Sequence, residues 1–337
     1  MKKLGIGTYR PENPVGILNY QAFVGQKEKE GPLGAYFDFY NNDEYFGQDT
    51  YEKAEAFMQK EVINSVIHQS KISTADIDFV FAGDLLNQCI GSNYGVRGLD
   101  MQYFGVYGAC STMVETLILA SMSIDGGFAR KALAVTSSHF CTAERQFRFP
   151  LEYGSQRAPT AQWTVTGAGC VLLSKEVPDG TPKIAAFCPG TICDFGINDS
   201  NNMGAAMAPA AASTLKKFFN DTATTPDDYD IIVTGDLGVV GEELLKKVLS
   251  KEGICLGTNY QDCGTMIYHL QNQDVHAGGS GCGCCASVLC GYLLPAMQYK
   301  KLYKNILVVA TGALMSTVST QQGESIPGIA HLIHITI

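Results

Sequence analysis

The segment Asp76-Ile-Asp-Phe-Val-Phe-Ala-Gly-Asp-Leu85 returns later in the same chain as Asp228-Tyr-Asp-Ile-Ile-Val-Thr-Gly-Asp-Leu237. Each copy is a β-branched and aromatic run of strand length, closed by Gly-Asp. A stretch of helical pattern precedes each, over 51–69 in the first copy and 211–220 in the second. A second echo lies downstream, where Lys131-Ala-Leu-Ala-Val-Thr136 answers to Asn305-Ile-Leu-Val-Val-Ala310. Small-residue helices are expected before these, over 111–125 and 285–300. The repeat is domain-sized, far beyond the ~20–50 residues of a solenoid unit. Alternating strands and helices predict two α/β halves with largely parallel buried strands. The halves are placed at 1–178 and 179–337, with an insertion in the second at about 253–276. Small residues at 120, 121 and 123, and again at 286, 287 and 291, suit two central helices packed together in one fused unit.

Composition narrows the function. The chain has 337 residues, 46% of them hydrophobic, enough for a large core. Its net charge of −9 and the lack of any Lys/Arg block exclude a nucleic-acid face. An anionic ligand therefore needs a local donor site inside an acidic protein. No apolar run is long enough to span a membrane, and the start of the chain lacks a signal-peptide pattern. The 12 cysteines are expected to be reduced thiols. The Cys-x-Cys-Cys string at 282–285 has no second spaced pair, so no metal is assigned and Cys282 is read as lining a pocket opposite Cys110.

Cys110 is the candidate centre. A strand is expected over 102–107, then the turn Gly108-Ala-Cys-Ser-Thr112, then a helix from 111 or 112. A helix N-terminus favours a thiolate, and the small neighbours suit a nucleophile-elbow turn. A buried, inert cysteine fits the local sequence equally well.

The 108–112 turn, the duplicated architecture, Thr166-Gly-Ala-Gly-Cys-Val-Leu-Leu-Ser174 and Thr311-Gly312-Ala313 together resemble the thiolases and ketoacyl synthases. This implies two similar α/β halves about a pseudo-two-fold axis, with central helices between sheets in αβαβα layers. A closer resemblance is carried by Lys27-Glu-Lys-Glu-Gly-Pro-Leu-Gly34, Gly83-Asp-Leu-Leu-Asn-Gln88, Thr142-Ala-Glu-Arg-Gln-Phe-Arg-Phe-Pro150, Met207-Ala-Pro-Ala-Ala-Ala212 and Ala277-Gly-Gly-Ser-Gly-Cys282. These strings are similar to those of the stage V sporulation protein AD family. The resemblance implies a non-catalytic protein that binds dipicolinic acid, alone or as its Ca2+ chelate, for uptake into the developing spore. It further implies a homodimer, held at the inner spore membrane by other stage V sporulation A membrane proteins, with no cofactor.

Condensing enzymes of the superfamily supply His and His, or His and Asn, from the second half. The repeat places those positions near Gly235-Asp236 and Cys282, where neither residue type stands. The resemblance leaves the anion-holding amides, here Cys110 and Gly312, as the seat of one ligand carboxylate. Arg145 and Arg148 are candidates for the second carboxylate. Tyr153, with Phe147 and Phe149, is the candidate cover for an aromatic ring. Asp84, with Asn87 beside it, and Asp236 are candidates for water-mediated or Ca2+-bridged contact. His139 is placed at the pocket edge. The alternative reading is an active acyltransferase with Cys110 as nucleophile and His139 as base; a third is a structural subunit with a vestigial pocket.

Overall fold

The computed structural model describes residues 1–37, 39–147 and 157–337. The first half contains β1 (Val15–Gly25), α1 (Tyr51–Gln69), β2 (Phe79–Gly83), β3 (Tyr103–Gly105), α2 (Thr112–Asp125), β4 (Lys131–Ser138), α3 (Phe140–Phe147) and β5 (Gly167–Ser174). The second half contains β6 (Lys183–Cys188), α4 (Met203–Thr222), β7 (Ile231–Thr234), α5 (Gly238–Lys251), β8 (Tyr260–Asp262), α6 (Cys282–Val288), β9 (Asn305–Ala313) and β10 (Gly328–Thr336).

The two halves repeat one topology. Strand order is β1-β5-β4-β2-β3 in the first and β6-β10-β9-β7-β8 in the second. In each, the repeated strand (β2 or β7) runs parallel to both neighbours, and the last strand (β5 or β10) runs antiparallel to the two it joins. The sheets meet edge to edge where Gly16 and Val15 pair with Lys183 and Ile184.

Local chemistry repeats as well. A capping box formed by Ser73 and Asp76 precedes β2, and one formed by Thr225 and Asp228 precedes β7. Asp78 then accepts from the amides of Arg130 and Lys131 at 2.7 and 3.1 Å. Asp230 accepts from those of Lys304 and Asn305 at 2.6 and 2.9 Å. Each aspartate thus pins the start of its strand to the start of the neighbouring one.

Burial defines five layers. Met58, Ile63 and Val66 of α1 pack on the outer face of the first sheet through Leu133 and Leu172. Leu215 and Phe218 of α4 do the same for the second sheet through Leu307 and Leu332. Between the inner faces lie Met113 and Leu117 of α2 with Cys285 and Ala286 of α6. β4 and β5 are buried along almost their whole length because helices cover both faces.

Three boundaries differ from expectation. The strand expected over 102–107 is ordered as strand only over 103–105. The helix expected over 211–220 begins at Met203 and carries Pro209 inside it. The helix expected over 285–300 starts at Cys282 and passes through a π-turn at Leu289–Leu293 before resuming over Leu294–Gln298. Among the described residues, no helix is long and apolar enough to cross a membrane.

Candidate functional site

Cys110 follows Ala109, whose φ of 51° is left-handed, a strained setting for a residue with a Cβ. Local bonds hold this conformation. The Gly108 carbonyl accepts from the Ser111 amide (3.1 Å) and hydroxyl (2.7 Å). The Thr112 hydroxyl donates to the Ala109 carbonyl at 2.6 Å. Gly312 of β9 lies against this turn so closely that a Cβ there would stand 2.4 Å from the Gly108 carbonyl oxygen. Any side chain at 312 would displace the turn itself.

The second half builds a matching turn. Gly281 has φ 98°, and a Cβ on it would lie 2.6 Å from the Ser138 hydroxyl. Cys282 follows and opens α6. The two cysteines meet in a small apolar cluster with Leu85 and Ala143, against Phe147. Their thiols differ in commitment. Cys282 donates to the Ser137 carbonyl at 2.9 Å. Cys110 has a long contact, 3.9 Å, to the Ser280 hydroxyl and lies against the Asp236 carboxylate.

Ser280 leads to Asp236. Its hydroxyl donates to the Asp236 carboxylate at 3.1 Å, and the Gly281 amide (2.9 Å) and Thr311 hydroxyl (2.8 Å) donate there as well. Asp236 is fully buried, and burial raises its carboxyl to about 6. Burial, reinforced by the negative charge of Asp236, pushes the Cys110 thiol well above its ordinary value. The thiolate expected from the helix N-terminus is therefore corrected: desolvation and a facing carboxylate outweigh the helix dipole, and the group is a thiol.

A narrow cleft of about 40 Å³ opens above Cys110. Its walls are mainly apolar, from Leu85, Tyr107, Phe147, Met203 and Met315; Glu144 also borders it. Hydroxyls of Thr164 and Ser280 lie side by side at its base, because Trp163–Thr164 pairs in parallel with Gly279–Ser280. Of these wall and base residues, Phe147 alone was expected at the site from the sequence. Ser280 carried the one usable signal, its place before the Gly-Cys of the second turn. Tyr107, Met203 and Met315 lie at the ends of connecting segments, with no periodic pattern to mark them.

The other expected residues divide. Asp84 is buried and closed by its own loop, accepting from the Leu86 amide (2.8 Å) and from the Ser92 amide and hydroxyl (2.7 and 2.6 Å). It does not face the cleft, which corrects its reading as a ligand contact. Asn87 lines a neighbouring outer cleft with Gln146, whose side chain accepts from its amide at 3.0 Å. Arg145 points to the surface and pairs with Glu52 at 2.7 Å, away from Cys110. Arg148, Phe149 and Tyr153 lie outside the described residues.

His139 is buried with both ring nitrogens engaged. Nδ1 accepts from the Cys141 amide (3.1 Å), so Nε2 carries the proton donated to the Glu44 carbonyl (2.8 Å). Burial lowers it to about 4, and it does not serve Cys110 as a base. Among the described residues no imidazole is hydrogen-bonded to the Cys110 sulfur, and no cluster of three or more His, Cys, Asp or Glu side chains suits a metal ion. All 12 cysteines are free thiols.

A duplicated α/β core with a cysteine turn at the tip of a central helix defines the thiolase-like fold. The chain superposes on 3-oxoacyl-[acyl-carrier-protein] synthase III from Aquifex aeolicus VF5 with a TM-score of 0.55 at 10% identity, covering 96% of this chain and 100% of that one. It superposes on a variant of OleA from Xanthomonas campestris with a TM-score of 0.59 at 11% identity, covering all of both chains. These likenesses establish the fold. In sequence, residues 5–336 match the family described as Stage V sporulation protein AD (SpoVAD). The Stage V sporulation protein AD of Bacillus subtilis (strain 168) is 45% identical over 331 residues, spanning 98% of this chain and 97% of that protein. The chain belongs to the stage V sporulation protein AD family.

Proposed function

We propose that this protein binds dipicolinate in the Cys110 cleft and does not turn it over, serving dipicolinate uptake into the developing spore. The observation that carries the reading is the state of Cys110: a buried thiol, facing a carboxylate beside Ser280, with no imidazole bonded to it among the described residues. Acyl transfer needs an activated nucleophile and a proton-transfer partner. What the cleft offers suits a flat aromatic acid. Tyr107, Phe147 and two thioethers form the walls, and hydroxyls lie at the base. The amides of Cys110 and Gly312 remain the proposed seat of one carboxylate, supported by the close approach of Gly312 to the turn.

The ligand enters alone or with Ca2+. The protein acts as a homodimer at the inner spore membrane, through membrane partners of the same stage V sporulation A set. The homodimer finds support in the edge strand β3, where Phe104 is half exposed and stacks on Phe81 at 5.2 Å between ring centroids. The site is tested by calorimetric titration of dipicolinate into the wild type and into Met203→Trp, which fills the cleft from the first turn of α4. Saturable heat in the wild type and at least about tenfold weaker binding in the variant, with an unchanged urea midpoint, is the expected result. Equal affinity in both places the ligand elsewhere.

The elbow-like strain at Ala109 favours one second reading, acylation of Cys110. A stable mass adduct from an acyl-CoA would establish it.

A further inference from the structure

A carboxylate ligand in this cleft arrives beside a buried negative charge. Ser280 and Cys110 line the cleft, and the Asp236 carboxylate lies behind them, 3.1 Å from the Ser280 hydroxyl. Among the described residues, no Lys, Arg or His pairs with Asp236, and the titratable groups around it are acids. Cys110 comes from the α2 turn, Cys282 and Cys284 from α6, and Asp262 from the end of β8. Two like charges at such range in a low-dielectric site oppose each other by several kcal/mol. A proton that enters with the ligand removes this opposition at Asp236.

The partners of the two buried aspartates differ in how many can turn to admit a proton. Asp262 accepts from three backbone amides, those of Leu237 (2.8 Å), Gly238 (3.0 Å) and Gly264 (3.0 Å), as well as from the Thr234 hydroxyl. Backbone amides do not turn, so Thr234 alone among these donors can reverse; burial still raises Asp262 to about 7. Asp236 accepts from one backbone amide and two hydroxyls, with the Cys110 thiol beside them. Hydroxyls reverse. With a proton on Asp236, its O–H donates to Ser280, and the Ser280 hydroxyl is released to donate into the cleft.

We propose that the Cys110 cleft binds its carboxylate ligand together with one proton, and that Asp236 takes that proton while Ser280 turns to donate to the ligand. The proton comes from solvent; no other bond is made or broken. Asp236 is thus the residue that sets which charge state of the bound complex is accepted. The inference rests on the dipicolinate reading of this site.

Dipicolinate is titrated by calorimetry into the full chain in phosphate and in Tris, buffers of different ionisation heat, with EDTA and again with Ca2+. The expected wild-type result is uptake of about one proton per ligand near pH 7.5, with affinity falling about tenfold per pH unit between about pH 7 and 8.5. Asp236→Asn is expected to abolish both the buffer dependence and the pH dependence. It also binds more tightly than the wild type at about pH 8. Saturable binding with no buffer-dependent heat overturns the proton coupling alone, as does binding that occurs only when Ca2+ carries the compensating charge. No saturable heat under either condition overturns the dipicolinate reading and the coupling together.

Discussion

Asp84 and Asp236 occupy the same place in the repeat, each after a strand and a glycine, yet they do opposite work. Asp84 is enclosed by the loop that follows it, since the chain continues into the short helix Ile90–Val96 and returns Ser92 to its carboxylate. Asp236 has no such loop. Its chain runs directly into α5, whose first amides are taken by Asp262, so Asp236 reaches across to Ser280, Gly281 and Thr311 and faces Cys110 of the other half. Duplication supplied two equivalent carboxylates, and loop length decided which became a structural staple and which a buried charge behind the cleft.

Amide substitution separates the two most strongly. In Asp84 both oxygens face backbone donors, Leu86 on one and Ser92 on the other. Asp84→Asn sets an NH2 against a buried amide and is expected to cost about 2–3 kcal/mol in urea unfolding. Asp236→Asn can present its NH2 to the Thr311 hydroxyl, which turns to accept, and its stability is expected to stay within about 0.5 kcal/mol of the wild type. Equal losses at the two positions would erase the distinction.

The first half carries a pH signature of its own. Glu55 is fully buried, and burial, then the charge of Asp84, raises it to about 8. A carboxyl bound more tightly to its proton in the folded state contributes stability below its unfolded value of about 4.5 and loses it as pH rises to about 8. The wild type should lose stability across that window, Glu55 contributing at most about 1.4 kcal/mol per pH unit. Glu55→Gln should flatten that slope; an unchanged slope would remove Glu55 from the account.

Thiol labelling sharpens the second-half side. Iodoacetamide at about pH 8 is expected to modify exposed Cys255 far faster than buried Cys110. Asp236→Asn should raise the Cys110 rate about tenfold relative to Cys255 by removing the opposing charge, read by peptide mass spectrometry. The smallest effect is expected at Arg145→Ala. Its exposed pair with Glu52 contributes no more than about 0.5 kcal/mol, and dipicolinate affinity should not change.

The duplication was legible because strand and helix periods repeat locally: α1 was bounded correctly, and α2 begins where the turn residues end. Cys110, Asp236 and Cys282 come near one another because each closes a strand or opens a helix in a repeat, but Cys110 alone of the three lines the cleft, with Asp236 and Cys282 buried behind it. What decides their roles was not legible. His139 is committed by a carbonyl at Glu44, Arg145 by Glu52, and Asp84 by Ser92, all contacts made by segments folding back from elsewhere. The thiol state of Cys110 follows from burial, which a motif does not report. Met203 and Met315 became walls only when two connections of the second half closed over the first.

The central claim is that Cys110 forms a floor for a ligand and is not a nucleophile. The most direct measurement is intact mass spectrometry of the wild-type protein after incubation with short- and long-chain acyl-CoA. The account predicts an unchanged mass; a stoichiometric acyl adduct that disappears in Cys110→Ala would contradict it.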